Sequence, residues 1–232
     1  MTPTPTDPWP DFFEIALAPR AYGALLYQIA GLPLGIAAFT WVVTGLSLSL
    51  GLVVIGIGLV LGLAYLVSCR GLAVALGRLA AAIAGMPAPE ALAMPEGPGF
   101  WSRLGALLSD PASWGAQASL LLRMPWGIAA FTLLVTLLSL SLAAVLAAIL
   151  PWQQIQLGPD GLLHLSGHSW NLQGDLLFPP ILEGLRNHPA STRLLSAAAG
   201  LFGFLATLHG ALALTRAEAW LAWTLLRRRA VR

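Results

Sequence analysis

The sequence predicts an all-α integral membrane protein: four transmembrane helices in two parallel-repeat hairpins, each preceded by an interfacial amphipathic helix. Three observations predict it. Apolar residues make up 57% of the chain and charged residues only 9%, against about 25% charged in an ordinary soluble domain. A single soluble core of this length cannot use so much apolar surface, so much of it must face hydrocarbon. The chain from Ala21 to Cys69 carries no charge at all, and with about 20 residues per span that run suits two helices rather than one. Finally, Pro33–Leu50 aligns without gaps on Pro125–Leu142, with 14 of 18 positions identical at an offset of 92. Apolar composition alone does not reproduce a shared Pro, Gly, Phe, two Thr and two Ser in register, so the stretch reads as a duplication.

The elements follow in order. Residues 1–10, rich in Pro and Thr with Asp7 and no Arg, form a disordered tail that lacks the basic start and short apolar stretch of a cleaved signal. A single membrane domain covers about 11–228, with one repeat at about 11–86 and the other at about 100–228. Asp11–Ile29 is the first interfacial segment, and the first span runs from about Leu32 to Leu50 with Pro33 in its first turn, where a missing N–H costs nothing. Gly51, Gly56 and Gly58 supply a tight hairpin to the second span, about Leu52–Arg70.

Phe100–Arg123 is the second interfacial segment. It carries Trp101, Arg103, Trp114 and Arg123 among leucines, the mixture of a helix lying in the headgroup layer. Pro125 opens the third span, about Trp126–Leu150, which closes at Pro151-Trp152. An extracytoplasmic loop at about 152–192 leads to the fourth span, between Arg193 and Arg216, and a basic tail ends the chain at 229–232.

Arginine placement sets the orientation. All twelve basic residues are Arg. With both termini inside, Arg20, Arg70, Arg78, Arg103, Arg123, Arg216, Arg227, Arg228, Arg229 and Arg232 are cytoplasmic, while only Arg186 and Arg193 lie outside. Ten against two is a strong positive-inside bias, so the termini are expected in the cytoplasm. The Arg227–Arg229 cluster reads as a topological stop that touches anionic lipid. A net charge of +2 points to no nucleic-acid partner, and the lone Cys69 excludes an internal disulfide or CxxC pair.

Candidate chemistry is sparse. Thr40, Thr44 and Ser47 share one helical face, and Thr132, Thr136 and Ser139 repeat it on the third span. Such hydroxyls glue helices together, or, if the two stripes face each other, line a polar seam or ligand cleft. In the outer loop, Ile155–Leu165 reads as a small hairpin with a Gly-Pro-Asp-Gly turn. His164 and His168 are weak zinc candidates, because a spacing of four converges on a metal only in a helix. His209 is an ionisable residue near the inner end of the fourth span, expected to snorkel or to bond a neighbouring helix. Arg216 and Glu218 are expected just beyond it, in the headgroup layer. No GxSxG, HExxH or phosphate-cradling Gly-rich loop is present, so no catalytic function and no cofactor are expected.

The pattern Asp110-Pro111-Ala-Ser-Trp114, then Leu120-Leu-Leu-Arg-Met-Pro125-Trp-Gly127-Ile, resembles the "putative sensor" membrane domain of bacteria. Arg70-Gly-Leu-Ala73 and Trp170-Asn-Leu-Gln-Gly-Asp175 are similar to that family's segments after the second helix and before the fourth. The repeated Pro-x-Gly-Ile, with Pro33, Gly35 and Phe39 matched by Pro125, Gly127 and Phe131, is the most specific part. The resemblance implies a sensor in the bacterial inner membrane, of a kind that often precedes histidine kinase modules. No kinase module lies within these residues, so signalling through a separate cytoplasmic protein is expected. A structural subunit of a larger membrane complex is the alternative, and a transporter of lipids or small molecules a third. Membrane lipids are expected partners in each case.

Overall fold

The computed structural model describes residues 11–90, 92, 99–149, 155–157, 163–165, 168–170 and 189–226. Four helices are long and apolar enough to cross a membrane. They are α1 (Pro19–Gly51), α2 (Ile57–Ala84), α4 (Pro111–Ile149) and α5 (Pro189–Leu226), and a short α3 (Phe100–Ser109) precedes α4. This is an all-α membrane architecture and a multi-pass membrane protein. The tails at 1–10 and 227–232, with the Arg227–Arg229 cluster and Arg186, lie outside the described residues.

Several expected boundaries need correction. Pro33 and Pro125 do not open helices: each sits inside a continuous helix, of 33 and 39 residues. Pro19 and Pro111 open α1 and α4 instead, where the ring needs no N–H donor. An internal proline loses one hydrogen bond and bends the helix, yet the i−4 ladder resumes on either side. The expected interfacial segments therefore join the spans they precede. Asp11–Ile29 becomes a 3-10 turn at Glu14–Leu17 followed by the first turns of α1, and Phe100–Arg123 becomes α3 plus the first turns of α4. The second span also runs past Arg70 to Ala84, and the fourth extends past Arg216 to Leu226.

The glycine hairpin forms where expected. After Gly51 a 3-10 turn, Val53–Ile55, leads to Gly56 at φ +79°, a left-handed conformation that only glycine adopts without strain. Gly85 repeats the device at the end of α2, at φ +63°. Asp110 caps α4: its Oδ1 accepts the N–H of Ala112 at 3.0 Å.

Contacts divide the chain into two compact units, one of residues 1–135 and 207–232 and the other of 136–206. In the first, α1 and α4 approach closely through glycine. A Cβ on Gly35 would lie 2.8 Å from the carbonyl oxygen of Arg123, and one on Gly127 would lie 2.5 Å from that of Gly31. These contacts are reciprocal at the offset of 92, since Gly35 corresponds to Gly127 and Gly31 to Arg123. The buried faces agree as well: eight of the nine buried positions of α1 recur as buried positions of α4 at that offset. Tyr65 packs its ring on Gly45, and Cys69, Ala73, Leu107, Ala116 and Leu120 form the main apolar core.

In the second unit, Gly200 seats against Val145 and the carbonyl of Ser141, and Gly203 against the Ser141 hydroxyl. Its strands β1 (Ile155–Leu157), β2 (Leu163–Leu165) and β3 (His168–Trp170) make an antiparallel sheet in sequential order. The hairpin read from the sequence is β1–β2, with Ile155 opposite Leu165, and β3 extends it.

Candidate functional site

The sequence offers little polar material, and the fold gathers an unexpected share of it inside the first unit. The centre is Glu218 of α5, which is 8% exposed. Arg123 of α4 meets it with Nη1 at 2.7 Å from Oε1, with both side chains about nine-tenths buried. From α1, the Tyr27 hydroxyl donates to Glu218 Oε1 at 2.9 Å, and Gln28 Nε2 donates to Thr215 Oγ1 at 3.1 Å and reaches Oε2 of Glu218 at 3.5 Å. Arg123 Nη2 also donates to the Tyr27 hydroxyl, and the guanidinium carbon lies 5.5 Å from the centre of that ring. Three helices from both halves of the chain thus close on one ion pair.

Local sequence explains each placement. Tyr27 and Gln28 project from the helical turn before Gly31, where α1 lies against α4. Arg123 stands 92 positions after Gly31, so at that offset α4 carries a cation where α1 has a glycine. Thr215 and Glu218 are three apart on α5 and therefore share a face, with the Thr215 hydroxyl also donating to the Ala211 carbonyl at 2.8 Å. The apolar surroundings are Ala80, Ala81 and Ala84 of α2 and Ala219 of α5, small side chains packed around Tyr27.

A second buried pair ties α2 to the joint between α3 and α4. Arg70 Nη1 donates to Asp110 Oδ2 and to the Ser113 hydroxyl, both at 2.7 Å, and Arg70 is only 3% exposed. One turn away, the Tyr65 hydroxyl donates to Gln117 Oε1 at 3.1 Å. Arg216 Nε donates to the carbonyl of Ala84 at 3.3 Å, a cation meeting an orphan acceptor at a helix C-terminus. Charged groups taken out of water cost several kcal/mol each unless paired and hydrogen-bonded, which is why these arginines come with partners.

A small cleft of about 20 Å³ opens beside the first pair, lined by Ser119, Leu122, Arg123, Trp126, Glu218, Leu221 and Ala222. Arg123 Nε and Trp126 Nε1 are buried donors with no acceptor among the described residues.

The residues singled out from sequence fare differently. Thr40, Thr44, Ser47, Thr132, Thr136 and Ser139 are all exposed on the surface of the chain. Their neighbours Ser49 and Ser141, 92 positions apart, are buried hydroxyls, and each donates to the carbonyl four residues back. Gly35 and Gly127 are buried at the α1–α4 contact, Pro33 and Pro125 are exposed, Phe39 is marginally exposed and Phe131 is half-buried.

His209 does not stand alone: its ring stacks on Phe12 at 5.1 Å and 19°. His164 lies opposite Ser169 and His168 opposite Leu165 in the sheet, and their side chains lie outside the described residues. No group of three metal-ligating side chains occurs among the described residues. Arg216 and Glu218 sit inside α5 and are buried within the protein. The only signal in the sequence was a lone acid within an otherwise apolar helical stretch.

Fold and site together define a multi-pass membrane protein with a buried ionic lock between its helices. The model of the family described as "Putative sensor" matches residues 27–226, nearly the whole chain. The protein belongs to that family. No curated protein and no solved structure matches it.

Proposed function

We propose that this chain is a membrane-embedded sensor or signalling component that detects an envelope or lipid cue and acts through a separate cytoplasmic protein. Family membership supports the sensor role. The observation that carries the reading is the Arg123–Glu218 pair, held by Tyr27 and Gln28 across three helices. A switching element needs two arrangements that differ by a few kcal/mol. An ion pair buried among small residues suits that role, because water entering at one side weakens it sharply. The arginine distribution favours both termini, and the Arg-rich ends of α2, α4 and α5, on the cytoplasmic side of a bacterial inner membrane. A partner would meet the lock from that side.

The test is purification from native membranes in mild detergent, with copurifying proteins identified by mass spectrometry. Recovery of a histidine kinase or transcriptional regulator supports the sensor reading. Recovery in fixed ratio with a large membrane complex replaces it with the second reading, a structural or assembly subunit. One observation favours that rival: two Thr/Ser trios lie exposed on apolar helices, where they can hydrogen-bond to a neighbouring membrane helix. No catalytic role is proposed.

A further inference from the structure

We propose that the first halves of α1 and α4, residues 19–33 and 111–125, are two arms lying in the plane of the bilayer, with one face seated in the lipid interface and the other holding the Arg123–Glu218 pair. Length leaves both segments outside a span. α4 has 39 residues, and Met124–Ile149 alone runs to about 39 Å at 1.5 Å per residue, against a hydrocarbon core of about 30 Å. The residues from Pro111 to Arg123 are left over. In α1, Leu34–Gly51 makes about 27 Å and leaves Pro19–Pro33 in the same position. Proline is where a long helix bends, and Pro33 and Pro125 stand at these two junctions.

Exposure says what covers them. A helix standing off the membrane in water turns polar side chains outward, and these segments do the reverse. In residues 111–125 the exposed positions are Pro111, Trp114, Leu121, Leu122 and Pro125, while Ser113, Gln117 and Arg123 are buried. Ser119 is half-buried, and its hydroxyl donates to the Ala116 carbonyl at 2.8 Å. In residues 19–33 the exposed positions are Pro19, Tyr22, Leu26 and Pro33, with Arg20 half-buried and Gln28 buried. At 3.6 residues per turn each exposed set falls on one side of its helix, opposite the buried set. The surface continues past each proline into the span, where Ile36 and Ile128 are 46% and 45% exposed, which favours lipid over a protein partner.

The aromatic residues agree. Tyr22 and Trp114 are 92 positions apart. The Tyr22 hydroxyl donates to the Ala16 carbonyl and Trp114 Nε1 to the Leu108 carbonyl, each at 2.9 Å and each six residues back. With its polar tip satisfied inside the chain, each ring can enter the acyl boundary without leaving a donor unmade. Such rings are the usual anchors at headgroup level. The elements before the arms extend the apolar surface, with Leu17 of the 3-10 turn 86% exposed and Trp101 of α3 70% exposed. On the opposite side of the same two helices, Tyr27, Gln28 and Arg123 close on Glu218. Pressure from lipid on the outer face of either arm therefore reaches the ion pair across one helix diameter. The seat in the interface stands by itself; as the cue of the sensor, interfacial packing rests on the function proposed above.

Depth-dependent quenching tests the placement. Leu26→Cys and Leu122→Cys, at positions 71% and 45% exposed, each carry an NBD fluorophore. Cys69 is fully buried and stays native, with the unsubstituted protein as the labelling blank. The full chain is reconstituted in nanodiscs of phosphatidylethanolamine and phosphatidylglycerol containing a phospholipid spin-labelled either near the headgroup or near the end of the acyl chain. Helical circular dichroism matching the wild type establishes that the labelled chains are folded. The shallow spin label should quench both fluorophores about twofold more than the deep one, because an in-plane helix sinks only about 5–10 Å past the boundary while the midplane lies about 15 Å deep. Stronger quenching by the deep label would set both segments across the core, and quenching by neither would put water or another protein over them; either result overturns the proposal. Partner capture is scored separately. Shallow quenching with no signalling partner recovered keeps the arms and sinks the sensor reading, whereas a partner recovered from a chain whose arms stay unquenched sinks this proposal alone.

Discussion

Replacing Glu218 by Gln tests the ionic lock most directly, because it removes the charge and keeps the shape. Arg123 is 9% exposed and would be left with a hydroxyl and an amide in place of a carboxylate. Two unit charges about 4 Å apart attract by about 4 kcal/mol at an effective dielectric of 20. Breaking a buried pair by removing one partner costs about 3–5 kcal/mol, most of it the price of the stranded charge. For a chain of this size that is a fall in Tm of about 6–20 °C.

Thermal unfolding in mild detergent, followed by tryptophan fluorescence, measures it. The double variant Arg123→Met/Glu218→Leu supplies the control. It removes both charges together and strands only the Tyr27 hydroxyl, since Gln28 keeps Thr215. Its loss should therefore be at least about 2 kcal/mol smaller than the sum of the two single losses, a coupling expected of groups in contact. Additive losses, or a Glu218→Gln variant that melts with the wild type, would refute the buried pair.

Three further outcomes follow from particular contacts. Gly35→Ala and Gly127→Ala should each destabilise, because the added Cβ meets a helix backbone at 2.8 and 2.5 Å, whereas Gly51→Ala, with nothing within 4 Å, should not; the same melts compare them. Asp110→Ala should lower stability more than Ser113→Ala, since it strands the charge of Arg70 and also uncaps α4, adding about 1 kcal/mol. Cys69 is fully buried, so a membrane-permeant maleimide should leave it unmodified in the folded protein and label it only as the chain unfolds, at a rate that tracks the melts. Rapid labelling of the folded protein would mean that the core around Tyr65 and Ala73 is open.

The sequence by itself determined whatever depends on local composition and period. The charge-free run from Ala21 to Cys69 gave two spans, Gly56 gave the turn between them, and the 18-residue match gave the correspondence of α1 with α4. It also carried the family resemblance. It misplaced Pro33 and Pro125, because a proline reads as a helix start until the turns before it prove helical too. Tertiary structure alone decided which polar groups face inward. Seen along the chain, Thr40 and Thr44 looked more like a site than Gln28 or Glu218. The fold turns the first pair outward and buries the second, because the glycine contact between α1 and α4 fixes the rotation of both helices. An ion pair such as Arg123–Glu218 has no period and no spacing rule. It exists only where packing brings distant turns together and excludes the water that would otherwise solvate each charge.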